Sequence, residues 1–158
     1  MRKMILILVA LLFVSVGNAQ AWFAADAKTT DGAANVVIPV YNNSGGTLDA
    51  GDVVIMDMDA STGDNDLYVT TTTTADTGIV VGVVWPADIS STAVGSVVVY
   101  GFAECDTAIG GVGENGPICT STTAGAGKSC TSNTFEGKYA VATVAIGDSG
   151  QGTCFVNP

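Results

Sequence analysis

Two stretches decide the fold: Ile79-Val80-Val81-Gly82-Val83-Val84-Trp85 and, beyond a turn, Gly95-Ser96-Val97-Val98-Val99-Tyr100-Gly101. Both are short, dense in β-branched residues and bounded by Gly, Pro, Asp and Ser. That is the pattern of strands rather than helices. Working outward, further strands are predicted over Val36–Tyr41, Asp52–Met58, Leu67–Thr74, Pro117–Thr120, Lys128–Thr131, Lys138–Ile146 and Thr153–Val156, with the central pair over Ile79–Trp85 and Ser96–Cys105. Between them lie turn clusters such as Asn42-Asn43-Ser44-Gly45-Gly46 and Gly147-Asp148-Ser149-Gly150, whose residues accept positive φ or bond their own backbone. No mature segment keeps a helical apolar period. The fold class is therefore all-β, a small antiparallel β-barrel or β-sandwich. Pro39 removes a backbone donor from the first strand, which places that strand at an edge or beside a bulge.

The same valine runs put large apolar groups on both faces of a strand. An antiparallel sheet with one wet face needs them on alternate positions only. Val53-Val54-Ile55-Met56, Ile79–Trp85 and Val97-Val98-Val99-Tyr100 all break the alternation, so something must cover the second face. A neighbouring subunit is the expected cover. The chain carries 15 acidic residues against 5 basic ones, so such a contact has to be apolar and backbone-mediated rather than built from salt bridges.

The N-terminus reads as a secretory signal peptide over residues 1–21. Arg2 and Lys3 precede the apolar stretch Met4–Val16, and Ala19-Gln20-Ala21 offers small residues for cleavage after Ala21 or after Ala19. The apolar stretch would span only about 20 Å as a helix, short of a hydrocarbon layer of roughly 30 Å, so no membrane span is expected. Removing residues 1–21 takes two cations and no acid, leaving three cations against fifteen carboxylates, a net charge of −12. Residues 22–35 then form an N-terminal arm, with Trp22 and Phe23 at its start and no strand signal until Val36. Those aromatics must dock, either on their own domain or on a neighbouring copy. The domain proper is 36–158. The few basic residues, Lys28, Lys128 and Lys138 after processing, argue against a nucleic-acid partner.

Four cysteines, Cys105, Cys119, Cys130 and Cys154, suit two disulfides in an exported protein. Three pairings are open. The flanks of Cys119 and Cys130 resemble the arms of a hairpin around the Gly-rich Thr122–Gly127, which favours Cys119–Cys130 and Cys105–Cys154. A zinc site is disfavoured by the missing C-x-x-C spacing and by the absence of histidine.

Several strings imitate catalytic motifs. Gly147-Asp148-Ser149-Gly150 looks like a serine-protease nucleophile, but that mechanism needs a histidine base and the chain has none. Gly111–Gly116 matches G-x-G-x-x-G without a helix to open, and Gly127-Lys128-Ser129 lacks the first glycine of a P-loop. No carboxylate spacing announces a glycosidase pair. No enzyme activity and no cofactor are expected. The exception is weak calcium binding by Asp57, Asp59, Ser61, Asp64 and Asp66, which set oxygens at alternate positions but lack the Gly and the closing Glu of an EF-hand. Asn42 begins an N-glycosylation sequon, and Thr70–Thr74 is open to O-modification.

The succession Asn43–Val54, Gly78–Val84, Gly95–Gly101, Thr120–Gly127 and the strands from Tyr139 to Val156 resembles the small β-barrel modules of bacteriophage capsid-decoration, or cement, proteins, over roughly residues 36–156. The resemblance implies a non-enzymatic barrel that binds copies of itself or a protein lattice. The signal peptide and the cysteines depart from that pattern and imply use of the same barrel outside the cell. Together these readings make the protein a secreted structural subunit of a filament, tube or surface layer, whose partners are copies of itself. The alternatives are a monomeric surface binding module and a virion decoration protein.

Overall fold

A computed structural model describes residues 35–58, 67–76, 79–130 and 137–158. The expected signal peptide, most of the expected arm with Trp22 and Phe23, and Asp59, Ser61, Asp64 and Asp66 lie outside the described residues. Nine strands run in chain order: β1 Val36–Asn42, β2 Val53–Met56, β3 Tyr68–Thr70, β4 Val80–Val84, β5 Val94–Asp106, β6 Pro117–Thr120, β7 Gly127–Ser129, β8 Lys138–Ala142 and β9 Gln151–Val156. The described residues contain no helix, and none therefore long and apolar enough to cross a membrane.

The strands build two joined sheets. The first closes on itself as a five-stranded ring in the order β1-β3-β2-β4-β5, with β5 pairing back onto β1. An antiparallel barrel was expected, and four of the five ring pairings are antiparallel, but β1 and β3 run parallel. Parity is the reason: direction cannot alternate all the way round a ring with an odd number of strands. The second sheet has the order β5-β9-β8-β6-β7. The 13 residues of β5 belong to both sheets, Val94–Tyr100 to the ring and Gly101–Asp106 to the pairing with β9. Pro39 pairs with Ser96 on β5, while β3 reaches β1 only at Tyr41 and Asn42. The proline thus sits where one edge of β1 has no described neighbour, close to a register break at Val36/Val37.

This arrangement gives two cores. One residue from each ring strand, Val40, Val54, Val69, Val84 and Val97, meets Leu48 and Ile89 inside the ring. Their sequence neighbours Val53, Val83 and Val98 form a cross-strand row on the outer wall of the ring. They pack against Ala103, Cys105, Ile118, Tyr139, Ala142, Cys154 and Val156 of the second sheet. The expectation that a neighbouring subunit covers the second face is thereby corrected for the valines of these runs, while Met56, Ile79 and Tyr100 stay 41%, 50% and 48% exposed. Val53, Val54, Val83, Val84, Val97 and Val98 are all at most 1% exposed: the ring interior buries Val54, Val84 and Val97, and the C-terminal half of the same chain covers Val53, Val83 and Val98. Fully burying each such side chain stabilises the fold by about 1.5–3 kcal/mol.

Both expected disulfides are present. Cys105–Cys154 ties β5 to β9 across a sequence separation of 49, and Cys119–Cys130 closes the β6–β7 hairpin across a separation of 11. Cys119 faces Lys128 in the ladder, so the second bridge runs diagonally across the hairpin.

Candidate functional site: an aromatic face and an acidic groove

Alternation along β5 and β9 sorts their residues cleanly. Gly101, Ala103 and Cys105, with Cys154 and Val156, face the core, while Phe102, Glu104 and Phe155 look outward, half-buried. Phe102 and Phe155 are register partners, with ring centroids 5.2 Å apart at 77°, and Tyr100 meets Phe155 at 5.1 Å and 82°. Such edge-to-face pairs are worth about 0.5–1.5 kcal/mol beyond their burial. Val36 is the register partner of Tyr100 on one flank, and Val141 the partner of Phe155 on the other. Val36 and Tyr100 are each 48% exposed. The result is one apolar stripe across β1, β5, β9 and β8, on the side of the second sheet that faces away from both cores.

Asn35, the last residue of the expected arm, is held beside this stripe. The Asn35 amide donates from Nδ2 to the Phe102 carbonyl at 2.8 Å and accepts from the Phe102 N–H at 2.8 Å. It thus stands in for a strand neighbour on the edge of β5 that β9 does not use. Gly101 makes this possible: it lies at φ 118°, and a Cβ there would run into Asn35.

The second feature is an open groove of about 640 Å³ at the seam of the two sheets, lined among others by Asp49, Asp52, Asp106, Ser149 and Gln151. The β1–β2 connection and the end of β5 are brought together by the Asp106 N–H bonding to the Gly51 carbonyl at 3.1 Å. Gln151 adds two donations, to the Ala50 carbonyl at 2.8 Å and to Asp106 Oδ1 at 2.9 Å. Asp52 Oδ2 accepts from the Asp49 N–H at 2.9 Å, and Asp88 Oδ1 from the Ala50 N–H at 2.8 Å. Burial pushes the Asp52 carboxyl up to about 6. The hydrogen bond from Asp49 opposes the shift, and the charges of Asp106, Asp49 and Asp88 add to it. Burial also raises Asp106, opposed by Gln151. Tyr139, fully buried, is held well above its ordinary value by burial and then by Asp106 and Asp52, and its hydroxyl has no hydrogen-bond partner among the described residues. No group of three or more metal-ligating side chains in holding geometry occurs among the described residues.

The other predicted site residues fall as follows. Asp57 accepts a hydrogen bond from Asn43 Nδ2 at 2.7 Å, and its four expected calcium partners lie outside the described residues. Asn42 is fully buried. Its Nδ2 donates to the carbonyls of Gly46 and Ile89 at 2.8 Å each and of Ser90 at 3.2 Å, and its Oδ1 accepts from Ser44 N and Oγ. A glycan on that nitrogen would displace these bonds, so the asparagine of the sequon serves the turn instead. Ser149 lies in the turn between β8 and β9 at φ 49°, with its N–H on the Ala108 carbonyl at 3.3 Å. Gly111–Gly116 leads into β6, and of Thr122–Gly127 the first five residues lie in the bend of the β6–β7 hairpin while Gly127 opens β7 opposite Thr120.

Neither the stripe nor the groove is announced by a motif. Alternate aromatics at Tyr100 and Phe102 were the available signal for the stripe. The groove joins Asp52 to a residue more than fifty positions away, which no spacing reveals.

No family model matches the sequence, and no curated protein matches it. Among solved structures, the chain is similar to the N base of head fiber gp8.5 in bacteriophage phi29, with a TM-score of 0.54 and 13% sequence identity, over 77% of this chain and 93% of that one. The two share a fold.

Proposed function

We propose that the protein is a non-enzymatic structural subunit, exported from the cell and assembled with copies of itself into an extracellular filament, tube or layer, its arm bridging from one copy to the next. The observation that carries this proposal is the fold, which is like that of a phage fibre base although the two sequences agree at only 13% of positions. The signal-peptide pattern of residues 1–21 and the two disulfides support the exported form. The outward aromatic stripe supports association through apolar contact, which suits a processed chain with three cations against fifteen carboxylates.

A second function is favoured by the same similarity: a virion protein, a decoration or fibre-base subunit of the cement-protein kind, bound to a capsid rather than to a free polymer.

Intact mass, sedimentation and electron microscopy of the protein recovered outside the cell test the proposal. The expected result is a chain starting at Trp22 or Gln20, four hydrogens lighter than its reduced form, in ordered polymers that grow as salt or calcium screens the negative charge. An unprocessed chain found on phage particles supports the virion alternative. A processed chain that stays monomeric at high concentration overturns the self-assembly proposal.

A further inference from the structure

The aromatic stripe has a candidate occupant in the chain itself. Building on the assembly proposed above, we propose that Tyr100, Phe102 and Phe155 form the docking surface for Trp22 and Phe23 from the arm of a second copy.

Three observations carry this. First, the stripe is contiguous and built: its rings contact one another at 5.1 and 5.2 Å, and they project outward from strands whose alternate residues fill the core. Second, Val53, Val54, Val83, Val84, Val97 and Val98 are taken up by the two internal cores, whereas Tyr100, at the end of its run, stays 48% exposed and joins Phe102 and Phe155 in a three-ring surface. An anionic chain has few cations with which to recruit a partner, so an apolar occupant fits best. Third, the arm is rooted at the rim of the stripe, by the two hydrogen bonds between Asn35 and Phe102. The 13 residues before Asn35 reach at most about 45 Å.

The direction of the root favours a second copy. Val36 pairs with Tyr100 antiparallel, so the chain upstream of Val36 is launched along the edge of β5 toward Asp106, on the side opposite β9. Its own Val36, Tyr100 and Phe102 stand at the point of departure, and the chain is headed away from Tyr100. A neighbour's stripe can be met on that heading, and each copy then offers one arm and one stripe, a head-to-tail contact that propagates.

The test uses the full processed chain in two forms, one with Trp22→Ala and Phe23→Ala, the other with Phe155→Thr. A Tyr100→Thr form serves as a second stripe variant, and thermal melts check that all are folded. Sedimentation velocity is expected to show association of each form alone weakened at least tenfold. An equimolar mixture of the arm variant and a stripe variant is expected to give 1:1 dimers, because one intact arm and one intact stripe remain. If the wild type assembles but the mixture stays monomeric, or if both stripe variants assemble like wild type, the docking surface is wrong while the assembly stands. If the wild type itself stays monomeric, self-assembly and this docking both fall.

Discussion

Val53 and Val54 are consecutive on β2, and their side chains belong to different cores: Val53 packs between the ring and the second sheet, Val54 inside the ring. Strand geometry requires that neighbours point to opposite faces. What is unusual is that both faces are closed by the same chain. Each valine should therefore matter equally to the isolated molecule. Val53→Ala and Val54→Ala are each expected to cost about 2 kcal/mol, the transfer of two methyl-sized groups plus a residual cavity, read as a lower urea midpoint in dilute monomer. A neutral Val53→Ala in monomer would mean that its face is not covered internally.

The two disulfides should differ in weight. Loop closure in the unfolded chain makes the Cys105–Cys154 link, with separation 49, worth about 4 kcal/mol and the Cys119–Cys130 link, with separation 11, about 3 kcal/mol. Replacing each pair by serine and measuring denaturant midpoints checks the order. A larger loss from the hairpin pair would show that local strand pairing, rather than chain entropy, dominates.

Asn42 supplies five hydrogen bonds from a fully buried amide, holding the turn after β1 to the loop that carries Ile89. Asn42→Ala removes all five bonds at once; the carbonyls of Gly46, Ile89 and Ser90 keep Ser44 Oγ, Leu48 N and Ala93 N as donors, and the loss is expected to be on the order of 2 kcal/mol. Ser44→Ala, which removes one hydroxyl from the same turn, should cost about 1 kcal/mol. Equal losses in chemical denaturation would contradict the central place of the asparagine.

The strands were legible in the sequence because Val, Ile and Thr runs end at glycines and aspartates. Pro117–Thr120 is matched to the residue. The Lys138–Ile146 prediction overruns to Ile146, which instead makes an isolated bridge with Val112, and Leu67–Thr74 shrinks to three residues. The cover of the second face was not legible. A run such as Val97-Val98-Val99 says that both faces are apolar and is silent on whether its own chain or another buries them. The parallel β1–β3 pair and the Asp52–Asp106 groove depend on ring closure, a long-range property that no local pattern encodes.

Tyr139 places a hydroxyl in the core with no hydrogen-bond partner among the described residues, at the cost of desolvating it. Tyr139→Phe removes that cost while keeping the ring, and is expected to raise stability by about 1 kcal/mol. Gly127 explains the fit, since a Cβ there would collide with that hydroxyl and with Ile118. Gly127→Ala is therefore expected to destabilise, and Tyr139→Phe to relieve part of that loss in the double variant, a coupling read from a double-mutant cycle. A destabilising Tyr139→Phe would reveal a bound partner for the hydroxyl in solution.

Asp52 gives the fold a pH dependence of definite sign. Its carboxyl is raised from 3.8 to about 6, chiefly by burial, so the folded state holds a proton that the unfolded state has released. Stability from this group is fully present below about pH 4 and is lost as pH rises through about 6. Asp106, raised in the same direction, adds to the slope. Asp52→Asn keeps an acceptor for the Asp49 N–H and removes the charge. It is expected to stabilise the protein at pH 8 by on the order of 1 kcal/mol, a value discounted for partial exposure, and to leave stability at pH 4 nearly unchanged. Urea midpoints of both forms at the two pH values decide it. If the wild type gains stability between pH 4 and pH 7, the Asp52 carboxylate is stabilised by an attraction stronger than its burial cost, as a cation bound in the groove would provide.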